Sequence, residues 1–326
     1  MAAAVDSFHF LYREISRSCH AYFEPLVLVG ALYTTSKAVI LLRDCCTLIR
    51  VHFIPRMIPT QRLAHRFGDW AVVSGVSEPI AKAYAEELAR QGINIMFISQ
   101  DHTAVADTAA SISQTYGVES VVVQGDFTLE QTACKPIKEA IRGKDIGFLV
   151  NCVDESLAFP QKLIEIPEQR LIDLVNKNIA VATLMTRLVL PGMVERSRGA
   201  VVNISSATGC RPSSGRVMLA ASTKYLDHFS RALDLEYSSK GIFVQSLVPF
   251  QIASRKRHPP SSSSSPLPSE GWFVPSPEVY ARHAVSTLGV AKRTTGYWPH
   301  TLQYRLMRCV PEWIWVLGSR ALTSSS

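Results

Sequence analysis

Lys224 is the residue whose type and setting most suggest chemistry in this chain. It lies in the segment VMLAASTKYLDHFSRAL, residues 217–233, whose apolar spacing predicts a helix. Positions four apart on a helix share a face, so an ammonium group at 224 would act on the side chain at 220. That residue is Ala220, which has no titratable group. A helix lysine by itself is usually a solvated surface residue, so its role depends on its neighbours.

The segment SGVSEPIA, residues 74–81, is a second candidate, because it follows the first predicted strand and precedes a helix. A loop in this position can bind the pyrophosphate of a dinucleotide through backbone N–H groups at the helix N-terminus. Glycines normally allow the backbone to approach the phosphates, and this loop contains only Gly75. The position therefore suits a dinucleotide, whereas the composition does not.

The elements that would position these residues follow from alternating patterns that begin at Trp70. Short β-branched runs predict strands at 70–74, 93–99, 120–124, 146–150, 200–205 and 242–248. Stretches rich in Ala, Leu and Glu predict helices at 81–90, 171–190 and 277–288. Apolar strands separated by helices are typical of an α/β fold, here a Rossmann-like doubly wound parallel sheet. In such a sheet the ligand lies beyond the carboxyl ends of the strands.

The order of these motifs resembles the short-chain dehydrogenase/reductase family from Trp70 to about Thr295. Catalysis in that family depends on an asparagine, a serine and a Y-x-x-x-K pair, in which the tyrosine exchanges the proton and the lysine lowers its pKa. The matching positions are Asn178 in VNKNIA, Ser206 in NISSA and Lys224, with Ala220 in place of the tyrosine. The resemblance therefore implies that Asn178, Ser206 and Lys224 are remnants of a catalytic group that is no longer functional. The stretch between Ser206 and Ala220 is one residue longer than usual, but a shift of one or two residues yields no tyrosine.

The same resemblance implies a dinucleotide site that has lost part of its pattern. The family motif T-G-x-x-x-G-x-G matches Ser74, Gly75, Pro79 and Ala81, so two of its three glycines are replaced, and proline also removes an N–H donor. Gln100 stands where relatives that use NADP carry an arginine for the 2′-phosphate, and a neutral amide cannot replace that charge. Asp154 stands where the family has a glycine that leaves room for the cofactor. The implied cofactor is NADP in a degraded site, with these binding residues: Ser74, Gly75, Val76, Ser77, Glu78, Pro79, Ile80, Asp126, Asn151 and Lys224.

Longer segments such as GMVERSRGAVVNISS and YLDHFSRALDLEYSSKGIFVQSLVPF resemble the hydroxysteroid dehydrogenase-like branch of the family, which is related to 17β-hydroxysteroid and 3-ketoacyl reductases. The function that this implies is an inactive scaffold that acts through protein or lipid contacts. The alternative is a residual NADP-dependent hydroxysteroid or 3-ketoacyl reductase. The cofactor site discriminates between them, because a reductase must bind nicotinamide. The resemblance also implies a mitochondrial location, with the endoplasmic reticulum membrane as the alternative.

Composition excludes several classes of function and binding partner. With 326 residues and 47% hydrophobic residues, the chain can bury a full core. Its net charge of +7 comes from scattered basic residues without an aromatic ladder, which argues against nucleic acid binding. Seven cysteines without a C-x-x-C spacing predict reduced, mostly buried thiols and no metal site. We expect an unidentified protein partner, membrane association or homo-oligomerisation.

The first part of the chain differs from the rest. PLVLVGALYTTSKAVILL, residues 25–42, is largely apolar, but Lys37 and two threonines interrupt it. Three readings stay open: a membrane-associated helix, an import segment, or a helix that packs on the main domain. The predicted organisation is an amino-terminal helical, targeting or membrane-associated segment at 1–66, a dehydrogenase domain at 67–295 with a flexible loop at 254–270, and an apolar tail at 296–326.

Overall fold

Seven strands form one parallel sheet, in the order β3-β2-β1-β4-β5-β6-β7. The computed structural model describes residues 2–57, 63–76, 78–125, 135–153, 161–212, 214–253 and 270–316. The strands are β1 (Trp70–Ser74), β2 (Asn94–Ser99), β3 (Ser120–Gln124), β4 (Ile146–Cys152), β5 (Gly199–Ile204), β6 (Ile242–Leu247) and β7 (Arg293–Thr294). The strand order reverses between β1 and β4, and their carboxyl ends therefore form the crevice where such sheets bind ligands. The prediction of a doubly wound parallel sheet is confirmed.

Helices precede, separate and follow these strands. They are α1 (Ala2–His52), α2 (Ile54–Met57), α3 (Leu63–Phe67), α4 (Pro79–Arg90), α5 (Thr103–Tyr116), α6 (Lys135–Ile141), α7 (Glu168–Val175), α8 (Val181–Glu195), α9 (Val217–Tyr237), α10 (Pro277–Ser286) and α11 (Trp298–Cys309). The single helix predicted at 171–190 is instead α7 and α8, joined by a π-helical segment, Asn176–Ala180. Such π-helical turns often occur at functional sites.

The sheet buries a hydrophobic cluster on each face. One cluster includes Tyr84 and Leu88 of α4 with Tyr280 of α10, and all three side chains are 0% exposed. The other includes Met185 and Met193 of α8. Strand side chains alternate between the two faces of the sheet, and both faces are covered. Most side chains of the central strands are therefore apolar, whichever face they lie on. This double burial explains why these strands read as continuous apolar runs.

Helix α1 belongs mostly to a separate compact unit. The chain divides into Met1–Arg50 and Val51–Ser326. The segment Pro25–Met57 is long and apolar enough to cross a membrane. Its apolar stretch of eighteen residues has a mean hydropathy of 1.7, and none of that stretch is buried. The described Cys45 and Cys46 on this helix are exposed, so the prediction of mostly buried thiols is wrong for them.

The second unit begins before the predicted boundary at residue 66, because residues 51–57 already pack on it. His52 is 1% exposed, its Nε2 lies 3.1 Å from Oγ1 of Thr301, and the ring of Phe53 lies 6.1 Å from that of Trp298. The predicted separate tail also needs correction, since α11 is part of this unit and His300 within it is 0% exposed. The predicted flexible loop lies almost entirely outside the described residues, which resume at Glu270.

Candidate functional site

A chain of buried polar side chains crosses the sheet at the carboxyl ends of its central strands. Ser74 Oγ donates to Asn151 Oδ1 at 3.0 Å, Asn151 Nδ2 donates to Asn203 Oδ1 at 2.9 Å, and Asn203 Nδ2 donates to Ser230 Oγ at 2.8 Å. Each of these residues is at most 2% exposed. Asn151 and Ser74, both predicted to bind a cofactor, therefore use their side chains to join strands. Asn203 and Ser230 were not predicted as site residues, although an asparagine inside the apolar run AVVNIS indicates a buried polar contact.

The loop after β1 packs tightly against β4. Gly75 has a φ of +75°, and a Cβ there would collide with the carbonyl oxygen of Cys152. A side chain at 75 would therefore meet both an unfavourable backbone conformation and a steric clash. Val76 is 2% exposed, whereas Ser77 lies outside the described residues. The fold itself requires the one glycine that this loop keeps.

The N-terminus of α4 is where a pyrophosphate would need backbone donors. Glu78 is the N-cap residue and is 8% exposed, Pro79 occupies the first helical position, and Ile80 is half-buried against the core. Ala81 is fully buried in the cluster that contains Tyr84. An anion at this helix end would find no N–H on Pro79, and the residue before that proline is the acidic Glu78. These residues do not fit a pyrophosphate, although the strand and helix are placed for one.

The remaining cofactor positions add little to this site. Gln100 follows β2, is exposed, and accepts a hydrogen bond from Gln124 Nε2 at 3.5 Å through its backbone carbonyl. Asp126 and Asp154 lie outside the described residues. In the described part of the chain, no group of three His, Cys, Asp or Glu side chains is placed to bind a metal ion.

The two polar remnants assigned to catalysis have structural contacts. Asn178 lies in the π-helical segment, is 1% exposed, and its Nδ2 lies 3.4 Å from Ser222 Oγ of α9. Ser206 caps the 3₁₀ turn after β5, and its Oγ accepts from the backbone N–H of Thr208 at 3.4 Å. Both side chains therefore help to hold helices and turns at the carboxyl edge of the sheet.

Leu219 and Thr223, rather than Ala220 and Lys224, lie on the face of α9 that packs toward the carboxyl ends of the strands. Leu219 is 2% exposed and clusters with Val153, the residue directly after β4. Thr223 is 1% exposed, and its Oγ1 lies 2.5 Å from where a Cβ on Gly209 would be, in the turn after β5. Residues 219 and 223 are four apart and share this buried face.

Lys224 lies on the flank of α9 that faces β7, which corrects its assignment to the catalytic and cofactor groups. Its side chain is 60% exposed, and its Nζ is 4.0 Å from Oδ2 of Asp227. Asp227 in turn accepts hydrogen bonds from Arg293. One helical residue corresponds to about 100° of rotation, so the shift from 223 to 224 is enough to turn the side chain away from the strand ends. The structure does not bring Lys224 together with Asn178 and Ser206.

No tyrosine takes the missing position on either alignment. Positions 219 and 220 are leucine and alanine. As its offset on the helix predicts, Tyr225 contacts α8 instead, with its hydroxyl 2.8 Å from Thr183 Oγ1 and its ring stacked on Phe229. Helix α9 therefore presents neither a phenol nor an ammonium group to the carboxyl ends of β4 and β5.

Comparison with known proteins agrees with this architecture. In the solved structures, a short-chain dehydrogenase from Sphingobium yanoikuyae in complex with NADPH is 23% identical, with a TM-score of 0.61 over 79% of this chain and 95% of that chain. A bulky-bulky ketone specific alcohol dehydrogenase from Comamonas testosteroni is 27% identical, with a TM-score of 0.51 over 56% and 74% of the two chains. The first of these likenesses shows the fold alone.

Sequence relatives extend over the whole chain. Inactive hydroxysteroid dehydrogenase-like protein 1 from Danio rerio is 53% identical over 99% of this chain and 100% of its own length, and the protein of that name from Homo sapiens is 50% identical over 99% and 97%. A very-long-chain 3-oxoacyl-CoA reductase from Anas platyrhynchos is 39% identical over 75% and 76% of the two chains. The model of the short chain dehydrogenase family matches residues 69–262. The chain therefore belongs to the short-chain dehydrogenase family.

Proposed function

We infer that this chain is a short-chain dehydrogenase that does not catalyse carbonyl reduction and that acts through binding. One observation carries this inference: the face of α9 that packs toward the strand ends has Leu219 and Thr223, and neither side chain can supply the proton that carbonyl reduction needs. The word "inactive" in the names of relatives from Danio rerio and Homo sapiens supports the same conclusion.

Absence of turnover is the direct test. We expect no NADPH oxidation above background when the purified full chain is mixed with ketosteroids or 3-ketoacyl thioesters. Turnover that Ser206→Ala abolishes and Ser205→Ala preserves would contradict the proposal. Ser205 is a matched control, because it is the neighbouring buried serine and its Oγ donates to Leu247 O rather than toward the turn.

We further propose that any NADP binding is weak and has lost its preference for the 2′-phosphate. The reasons are the buried Glu78 at the helix N-terminus, Pro79 without an N–H, and the neutral Gln100 after β2. A phosphate would have an acidic residue beside it at the first position, would lack an N–H donor at the second and would lack a counter-charge at the third. The fold retains the place where relatives bind a nucleotide, but the residues there disfavour an anion.

Calorimetric titration of the full chain with NADPH and NADH tests this second proposal. We expect weak binding with little difference between the cofactors. The loop-repaired variant, which combines Pro79→Gly, Ala81→Gly and Gln100→Arg, should bind NADPH more tightly than NADH. Submicromolar binding of NADPH by the unmodified chain, corresponding to about 8 kcal/mol, would contradict the proposal.

Membrane attachment through the amino-terminal helix is the third part of the proposal. Exposed apolar side chains cover all sides of α1 between Leu26 and Leu42, among them Leu28, Leu32 and Leu41 at 63%, 64% and 64%. A helix that is apolar all round suits a lipid environment better than a groove on one partner. Its apolar window of eighteen residues would be about 27 Å long, close to the thickness of a bilayer core.

We propose the mitochondrion as the location, with the endoplasmic reticulum membrane as the alternative. The basic residues Arg13 and Arg17 before the apolar stretch, and Lys37 within it, support an import or membrane segment. Fractionation of cells that express the tagged full chain tests the location. Recovery with mitochondrial markers supports the first location, recovery with reticulum markers supports the second, and a diffuse soluble distribution contradicts both.

Cross-linking in the recovered membrane then distinguishes a second copy of the chain from a different protein partner.

A further inference from the structure

A cavity of about 320 Å³ lies on the β7 side of α9, away from the helix face that packs on the carboxyl ends of β4 and β5. It is bounded by the turn after β5, by α9, by β7, and by α11 with the residues that follow it. Its walls contain Cys210, Arg211, Pro212, Lys224, Arg293, Tyr304, Met307, Arg308 and Glu312. This volume is at the lower end of the range for small-molecule sites.

Positive charge dominates the walls of the cavity, with four cationic side chains and the single carboxylate of Glu312. A second carboxylate, Asp227, lies behind Lys224 but is already neutralised. It accepts hydrogen bonds from Arg293 at 2.8 and 3.2 Å and from Ser246 at 2.8 Å. Although burial opposes ionisation, these hydrogen bonds hold the pKa of Asp227 below its usual range. The charge of Lys224, which is 4.0 Å from this carboxylate, is therefore left partly unbalanced.

Arg211 is a fixed positive group beside this cavity. Its Nη2 donates to the backbone carbonyls of Met307 at 2.6 Å and Val310 at 2.5 Å, and its guanidinium lies 5.8 Å from the ring centre of Trp315. Its Nη1 is buried and has no hydrogen-bond partner among the described residues. Because the carbonyl contacts are neutral, they hold the guanidinium in place without cancelling its charge.

The remaining walls are apolar. Burial raises the pKa of the Cys210 thiol, which is consequently neutral, and Pro212 and Met307 add hydrocarbon and thioether surface. Tyr304 accepts from Arg293 Nη1 at 3.1 Å, so its ring is held against this wall. A ligand here would need an anionic group for the cations and a short apolar body for these walls.

We propose that this cavity binds a small organic anion, a phosphate monoester or a carboxylate on a short apolar body. Lys224 and Arg308, which are exposed, would contact the anionic group, whereas Arg211 supplies a fixed positive charge and Arg293 is paired with Asp227. Lys224 thus serves a site on a different flank of α9 from the one that packs on the strand ends. The proposal does not depend on whether the chain binds NADP.

Calorimetric titration of the full chain with phenyl phosphate, with benzyl alcohol as the uncharged control, tests the site. We expect saturable binding of phenyl phosphate, weakened at least about tenfold by Lys224→Met or Arg308→Met, because one lost charge-assisted hydrogen bond has about that effect. Lys240→Met removes the same charge from an exposed lysine in the 3₁₀ turn that follows α9 and should leave binding unchanged. Glu312→Gln should tighten binding, and this gain cannot arise from misfolding.

Dihexanoyl phosphatidate distinguishes a lipid headgroup from a free phosphate monoester. Binding of this lipid but not of phenyl phosphate, with the same dependence on Lys224, would assign the site to phospholipid. Binding of neither probe, or binding that Lys224→Met and Glu312→Gln leave unchanged, would overturn the proposal.

Discussion

Introducing a tyrosine at position 219 together with a lysine at 223 should restore more carbonyl-reductase activity than introducing a tyrosine at 220. Leu219 packs beside Val153 at the end of β4, and Thr223 packs on the turn after β5. Ala220 precedes Lys224 by one turn on the flank that faces β7. Both variants should be made in the loop-repaired background, so that cofactor binding does not limit the comparison.

The size of the effect follows from helix geometry. Side-chain tips lie about 5–6 Å from a helix axis, so a rotation of about 100° moves the tip by about 8 Å. A misplacement of about 1 Å can already cost about 10²-fold in rate. A hydroxyl at 220 should therefore add nothing, whereas a correctly placed acid contributes about 10²- to 10⁴-fold. Overpacking at the two buried positions will reduce stability by about 1–3 kcal/mol each.

Single-turnover reduction of a ketosteroid, followed by NADPH absorbance, measures the difference. Leu226→Tyr is the matched control, because Leu226 is 1% exposed in the same cluster, two turns further along α9. It has the same overpacking and should give no gain in rate. If Ala220→Tyr gives an equal or larger gain than the change at 219 and 223, the assignment of the helix face is wrong.

Three further outcomes follow from burial and exposure. Burial lowers the pKa of His52, His283 and His300 from 6.5 to about 4, so the unfolded chain binds more protons than the folded chain between these values. Chemical denaturation should show stability falling as the pH decreases from 6.5 to 4, by up to about 1.4 kcal/mol per pH unit for each histidine, and His300→Gln should remove one such contribution. Leu32→Lys should reduce the carbonate-resistant membrane fraction, since a charge at a helix centre costs about 2.5–3.5 kcal/mol, whereas Leu235→Lys at another exposed leucine should not. Leu219→Ala should lower the free energy of unfolding by about 2–5 kcal/mol, and Lys224→Met by less than about 0.5 kcal/mol. Equal losses at 219 and 224 would contradict the burial difference.

Strands were predictable because burial on both faces leaves a strong signal. The predicted runs 70–74 and 120–124 coincide with β1 and β3, and the other four differ by one or two residues at their ends. Helix interruptions were harder to predict, because the π-helical segment near Asn178 contains no glycine or proline that would mark a break in the helix. The boundary at Arg50 depends on tertiary contacts of His52 and Phe53, which no local pattern encodes.

The catalytic positions show where spacing stops being informative. Lys224 is the lysine nearest the expected position, and an alignment by residue type selects it. Only the burial of Thr223 and the exposure of Lys224 reveal that position 223, and not position 224, is on the helix face that packs toward the strand ends. Ser206 was assigned by its place after β5, yet its hydroxyl caps a turn, a role that serine often has at strand ends.

The buried polar chain from Ser74 to Ser230 also protects the sheet against assembling incorrectly. Asn151 pairs in register with Ser74 on one side and with Asn203 on the other. If a strand slipped by one residue, its amide would move to the opposite face and enter an apolar layer. Each buried polar group left without a partner would then cost about 1–3 kcal/mol. These hydrogen bonds form between residues far apart in the sequence, so they stabilise only one register of β1, β4 and β5. The sheet can therefore keep a unique arrangement while the loops and helix faces around it change their chemistry.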